Sequence, residues 1–122
     1  MSIVDCNTAM KFAEQWIDAW NRRDLEAVLC HYTEDFVFAS PLIPVIAGEP
    51  SGVLRGKSSV RAYWAKGLER IPNLKLTLHD VMMGVNSIVL VYRGHRGMVA
   101  ETFILNKSGL VKEAMACYGA SE

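Results

Sequence analysis

No cysteine pair, no charge of one sign and no long apolar run stands out in this 122-residue sequence, and each absence removes a class of protein. The three cysteines, Cys6, Cys30 and Cys117, are an odd number far apart, with no Cys-x-x-Cys clip. That excludes a disulfide framework and a zinc ribbon, and makes buried, reduced thiols in the cytoplasm the expectation. Lys plus Arg and Asp plus Glu both number 13, for a formal net charge of +0. Without a basic surplus the chain is expected to bind neither nucleic acid nor an anionic membrane. No stretch approaches the roughly 18 apolar residues of a membrane span. The opening Met1-Ser2-Ile3-Val4-Asp5 has no basic segment or apolar run, so no signal peptide is expected. Internal repeats, phosphate loops, serine nucleophile elbows and His-x-x-x-His spacings are missing too, so neither metal nor cofactor is expected.

What is present is a globular composition, 51% hydrophobic and 21% charged, in a chain sized for a single domain over 1–122. The first half reads as helices. Ala9, Phe12, Ala13, Trp16, Ile17 and Trp20 recur on one face of a helix over 8–21, with Asn7 or Thr8 as its cap. After Asn21-Arg22-Arg23, Asp24 caps a short second helix striped by Leu25, Val28, Leu29 and Tyr32. A strand over 35–40 ends at Pro41. Residues 41–57 are a long connection punctuated by proline and glycine, yet apolar at Leu42, Ile43, Val45 and Ile46, which predicts a lid. Ser58 or Ser59 caps a third helix bearing Val60, Tyr63, Trp64, Leu68 and Ile71, and Pro72 stops it.

Four strands follow, over 74–83, 87–93, 98–105 and 110–118, separated by turns and no helix, hence antiparallel to one another. Helices segregated from an antiparallel sheet define an α+β fold.

FAEQWIDAWNRRDLEAV over the first two helices, YTEDFVFASP over the first strand, GKSSVRAYWAKGL over the third helix and NKSGLVKEAMACYG over the final hairpin together resemble the nuclear transport factor 2-like superfamily, in particular its SnoaL-like and ketosteroid-isomerase-like members. The resemblance spans nearly the whole chain. It implies a cystatin-like fold: a curved sheet and three helices closing a cone around an apolar pocket, with dimerisation through the outer sheet face. Val81, Met83 and Val91 are expected on that outer face.

Glu101 lies in the apolar run Met98-Val99-Ala100-Glu101-Thr102-Phe103-Ile104-Leu105, sharing a face with Val99 and Phe103. Either that face is a cavity, and desolvation raises the carboxyl pKa into a useful range, or Glu101 turns to solvent or a dimer interface and pairs with Arg96 or Lys112. The resemblance places Glu101 where ketosteroid isomerases carry a protonated aspartate that donates to an enolate. Ser40 stands where they carry the base aspartate, and Trp16 where they carry a tyrosine donor. Serine is a poor base without an activating partner, so steroid isomerisation by that mechanism is not expected.

Trp16, Trp20 and Trp64 are either core or the roof of a pocket, and each buried indole N–H needs an acceptor. Phe36, Phe38 and Ser40 share one strand face. Tyr118 shares another with Ala114 and Ala116, small residues that leave room for a ligand or for a helix. His31 sits at a helix end, where a cation is favoured. His79 belongs on the outer face, and His95 in a solvated turn, Arg93-Gly94-His95-Arg96-Gly97, that alternatively clamps an anion at the pocket mouth.

Two functions are compatible with these residues. The first is a pocket for an apolar or aromatic small molecule, acted on by proton transfer in an isomerase, dehydratase or cyclase reaction. Glu101 is then the acid or base, Ser40 and Tyr118 assist it, and Trp16, Trp20, Phe36, Phe38, Tyr63, Trp64, Val99 and Phe103 form the wall. The second is a non-catalytic ligand-binding or dimeric interaction module.

Overall fold

The computed structural model describes residues 4–120. Helix α1 runs Cys6–Asn21 and α2 Leu25–Leu29; strand β1 follows at Tyr32–Ala39. A one-turn helix α3, Ile43–Ile46, and a short strand β2, Val53–Arg55, precede helix α4, Lys57–Arg70. Strands β3 Thr77–Met83, β4 Ser87–Gly94, β5 Gly97–Leu105 and β6 Val111–Tyr118 complete the chain. The six strands form one curved open sheet in the order β2-β1-β6-β5-β4-β3. The last four pair as antiparallel hairpins, as their short turns require, while β1 lies parallel to β6. This is the α+β fold expected of the sequence.

Several boundaries differ from the sequence reading for local reasons. Asp5, not Asn7 or Thr8, caps α1: its carboxylate accepts from Thr8 N at 2.7 Å. Asp24 caps α2 as anticipated, accepting from Ala27 N at 3.1 Å. Neither Ser58 nor Ser59 caps α4; Gly56 takes that position, and Ser59 donates instead to Arg55 O at 2.9 Å. The 41–57 connection is not a plain loop. Its apolar residues form α3, and its end adds β2 antiparallel to β1. Gly52 permits this, with φ +74 and an ideal Cβ position 3.3 Å from Ser40 O, so a side chain there is strained twice.

Helices α1 and α4 cover one face of the sheet. Between the layers, Phe12 of α1 and the sheet residues Phe36, Phe103, Ile88, Leu90 and Val111 pack into the core. Two side chains fasten the layers. Asn21 makes a two-bond clasp with the backbone of Leu76, donating at 3.0 Å and accepting at 2.7 Å. Arg23, held at φ +60, donates to Leu68 O at 2.6 Å, Ile71 O at 3.0 Å and Pro72 O at 3.3 Å. These are carbonyls at the C-terminus of α4 and just beyond, where a cation is also favoured by the helix dipole.

Among the described residues, the opposite sheet face carries no helix. Val89 and Val91 of β4 stand across from Thr102 and Ala100 of β5, and Met115 of β6 across from Thr102. Val91 is on this outer face as expected, but Val81 and Met83 are not. A bulge between Leu78 and Asp80 shifts the register, so Val81 pairs with Leu90 and Met83 with Ile88, on the helix-covered side. Met82, 51% exposed, takes the outer position. The cysteines also depart from expectation: Cys6, Cys30 and Cys117 are all free and exposed, at the start of α1, the end of α2 and the outer sheet face.

Candidate functional site

Between the helices and the curved sheet lies a cavity of about 140 Å³, open on one side. Each element contributes a few residues to it. Helix α1 places Trp16 and Trp20 one turn apart above the sheet; α4 adds Tyr63, Trp64 and Leu68; β4 and β5 bring Tyr92, Val99 and Glu101 from below. Tyr118 of β6 and Phe38 of β1 close one flank. The segment held by Asn21 and Arg23 supplies Ile71, Leu74 and Leu76 on the other.

Glu101 is the buried carboxyl group of this cavity, 3% exposed. It stands across from Leu90 on β4 and Ala116 on β6, so its neighbours in the sheet are apolar. Its partner is Tyr92, whose hydroxyl donates to Oε1 at 2.7 Å, not Arg96 or Lys112. Burial pushes the carboxyl from its ordinary 4.5 up to about 7, while the Tyr92 hydrogen bond pulls the other way. A carboxyl group poised there is populated in both protonation states at neutral pH. The surrounding phenols are held neutral: burial first, then the Glu101 charge, raises Tyr92 well above the usual tyrosine range and Tyr118 to about 12. Tyr63 is raised chiefly by burial.

Ser40 is buried, but it serves the chain first. Its N–H donates to Gly52 O at 2.9 Å, and its Oγ accepts from Leu42 N at 3.2 Å. It also lies close enough to the Tyr63 and Tyr118 hydroxyls to temper their rise. No carboxylate or imidazole among the described residues is hydrogen-bonded to it, so it has no activating partner there.

The two α1 tryptophans have different surroundings. Trp16 Nε1 donates to Tyr32 Oη at 2.9 Å, deep in the core, which leaves that N–H unavailable for a ligand. Trp20 Nε1 is buried with no acceptor among the described residues. Of the remaining expected wall residues, Phe38, Tyr63, Trp64 and Val99 do line the cavity. Phe36 and Phe103 do not. Phe103 packs edge-on against Phe12 and Trp16, at 4.9 and 5.2 Å between ring centroids, and Phe36 lies tilted against Tyr32 at 4.4 Å. Both are floor beneath the cavity, because two-residue alternation marks a face of the sheet but not how deep in the cone a position lies.

Tyr92 was not singled out from the sequence, although the alternation Ile88, Leu90, Tyr92 puts it on the core face opposite Val99. Leu42 and Ile46 also line the cavity; their apolar character in a connecting segment was the signal. At the open side stand Gly94, His95 and Arg96, because the β4–β5 turn is a two-residue tip between paired Gly94 and Gly97. His95 and Arg96 are exposed there, so the tip is solvated and at the mouth at once. His79 is exposed, as expected. His31 is not placed as a helix-end cation: it packs edge-on against Phe12 at 5.1 Å, and burial lowers its pKa, favouring the neutral ring. No three His, Cys, Asp or Glu side chains among the described residues converge as metal ligands. No helix among them is long and apolar enough to cross a membrane.

Comparison with known proteins agrees with this architecture. A family model described as a SnoaL-like domain matches residues 13–109. A SnoaL-like protein of unknown function from Burkholderia thailandensis E264 is 42% identical; its structure superposes with a TM-score of 0.93 over 98% of this chain and 100% of its own. At 16% identity, a nuclear transport factor 2-like protein of unknown function from Burkholderia pseudomallei K96243 has a TM-score of 0.76, covering 93% of this chain and 92% of its own. TerC, co-crystallized with polyporic acid, has the same TM-score of 0.76 at 11% identity, covering 93% of each chain, a likeness of fold alone. No protein of curated function matches the chain.

Proposed function

The chain belongs to the SnoaL-like domain family, and on that premise we propose that it binds a small, largely apolar or aromatic molecule in the cavity and moves a proton on it through Glu101. The observation that carries this reading is the Glu101–Tyr92 pair. A carboxyl group 3% exposed, hydrogen-bonded at 2.7 Å by a neutral phenol, lines a cavity walled mainly by aromatic and aliphatic side chains. Burying such a group unpaired by a cation costs stability, and the Tyr92 hydrogen bond offsets only part of that cost. Desolvation tunes it to about 7, where it can give or take a proton as isomerisation, dehydration or cyclisation needs. Tyr92 steadies the carboxylate form, and Tyr118 adds a neutral hydroxyl at the same wall. Ser40 acts through its position between Tyr63 and Tyr118.

The test is a titration of the Glu101 carboxyl by carbon-detected NMR, with Glu101→Gln to assign it. A midpoint near 7 supports the reading. A midpoint at or below 4.5 means a solvated or ion-paired carboxylate and removes it.

The second reading, a dimeric module, rests on a different surface. The helix-free sheet face presents half-exposed Val89, Val91, Ile104 and Met115 beside exposed Met82. An apolar sheet face of this kind favours a second copy of the chain across it. Light scattering at micromolar concentration should give twice 13.6 kDa, and a Val91→Lys variant should give 13.6 kDa. A wild type of 13.6 kDa defeats the dimer without touching the cavity.

A further inference from the structure

The cavity has a charged mouth that proton transfer at Glu101 does not use. Its interior offers a buried carboxyl group and neutral phenols. Among the described residues that line it, only Arg96 carries a permanent positive charge, and Arg96 stands exposed at the open side beside His95.

The hairpin fixes where that charge sits. Gly94 pairs with Gly97, so His95 and Arg96 alone form the tip between β4 and β5. An ideal Cβ on Gly94 would stand 3.5 Å from Leu76, 3.7 Å from Tyr92 and 3.8 Å from Val99, all residues of the cavity wall. The root of the tip therefore lies against that wall. The guanidinium also acts inward. Burial first, then the Glu101 charge, pushes the Tyr118 phenol up to about 12, and the Arg96 charge is near enough to pull the other way. Tyr118 lines the cavity, so the field of Arg96 reaches the cavity side of the turn as well as solvent. None of the ion pairs among the described residues involves Arg96.

These signs sort the parts of a ligand. An anionic group deep in the cavity would lie near the Glu101 carboxylate with no cation to pair it. At the mouth the same group keeps part of its hydration and meets a guanidinium, whose planar fork matches a carboxylate. A cationic group at the mouth would meet Arg96 as a like charge. The interior takes the apolar part, and its volume of about 140 Å³ is close to the roughly 150 Å³ that encloses one benzene ring.

We propose that Arg96 is a specificity-determining residue, and that the ligand is a one-ring aromatic carboxylate. Its ring is enclosed in the cavity, and its acid group, on a short chain, is held at the mouth by the Arg96 guanidinium. This rests on the cavity being the ligand site, and it adds the ligand's charge and its direction of entry. It assigns no new step to Glu101.

The test compares hydrocinnamate with hydrocinnamamide, two one-ring probes of the same shape, only the first of them charged at pH 8. Tryptophan fluorescence reads the binding, since Trp16, Trp20 and Trp64 all line the cavity. At low salt the carboxylate should bind about threefold to fivefold more tightly than the amide. That preference should fall toward unity in about 1 M sodium chloride, where exposed charges are screened beyond about 3 Å. Arg96→Gln should abolish the preference and leave amide affinity within about 1.5-fold of wild type, while Arg96→Lys, which keeps the charge, should retain most of it. Three results overturn the clamp and leave the cavity reading standing: equal affinity of wild type for the two probes, tighter binding of the amide, or equal weakening of both by Arg96→Gln. If neither probe binds at millimolar concentration, both fall.

Discussion

Trp16 and Trp20 lie one helical turn apart on the same face of α1 and both edge the cavity, yet what lies beneath one and beside the other differs. Below Trp16 the interior is closed. Phe12, Phe103 and Tyr32 pack at aromatic contact distances, and the indole N–H has its acceptor. Beside Trp20 the packing gives way to the cavity, which holds a buried carboxyl group with its phenol partner. One amphipathic helix feeds both regions, and what separates them is the space and the buried carboxyl group that only one of them holds. A core completes its hydrogen bonds internally; a binding site leaves some for its ligand.

The largest effect that can sharpen this contrast falls in the closed region. Phe103→Ala removes a fully buried ring that touches both Phe12 and Trp16. It should cost about 3–5 kcal/mol in chemical denaturation. Its effect should be one of stability, leaving the Glu101 carboxyl midpoint near 7 unchanged in the folded fraction. A midpoint that moves at unchanged stability would break the division between floor and site.

Glu101→Gln acts in the open region and in the opposite sense. A carboxyl raised from 4.5 to about 7 binds its proton more tightly in the folded state than in the unfolded one. Between those pH values the folded protein holds more protons, so wild-type stability falls as pH rises and levels off above about 7. The full difference corresponds to about 3 kcal/mol. Glutamine keeps the shape and the acceptor for Tyr92 but does not titrate. The variant should therefore be more stable than wild type at pH 8, with the advantage shrinking toward pH 4. Urea denaturation across that range reads it directly. A gap between variant and wild type that stays constant from pH 4 to 8, where the His31 titration common to both cancels, means that Glu101 is not desolvated.

Much of this division was legible in the residues. Helical spacing located the tryptophan stripe, and a lone acid in the apolar run 98–105 identified Glu101 as buried or paired. Depth within the cone was not legible. Phe36 and Phe103 share faces with Phe38 and Glu101, and only the sheet's curvature decides which of them reach the cavity. The β3 bulge was equally hidden, because a one-residue slip at Leu78/Asp80 leaves no mark in composition but moves Val81 and Met83 across the sheet. The apolar connection was recognised as unusual, yet reading it as a loop missed α3 and β2. Two of its residues, Leu42 and Ile46, reach the cavity while Val45 stays 68% exposed.

A smaller effect should come from the flank that joins the two regions. Arg23 ties Leu68, Ile71 and Pro72 to the end of α1, and those carbonyls lie beside the cavity wall. Arg23→Ala should cost about 1–2 kcal/mol, as expected for lost hydrogen bonds from a charged donor. It should also speed amide exchange over 71–76 more than elsewhere. Exchange that rises uniformly would mean the arginine supports the whole fold instead of this wall.

The smallest expected effect separates the two forces acting on the carboxyl group. Burial raises the Glu101 pKa, and the Tyr92 hydroxyl opposes it. Tyr92→Phe keeps the ring against Trp16, at 5.4 Å in the wild type, and removes only the donor. The carboxylate then loses its one hydrogen bond while its desolvation is unchanged, so the pKa must move further up from about 7. A carbon-detected titration of Tyr92→Phe beside wild type measures the difference. An upward move assigns Tyr92 the role of holding the carboxylate form within reach of neutral pH. A downward move would show that water enters the space the hydroxyl leaves, and that the region around Glu101 is wetter than the one around Trp16 by the width of one hydroxyl group.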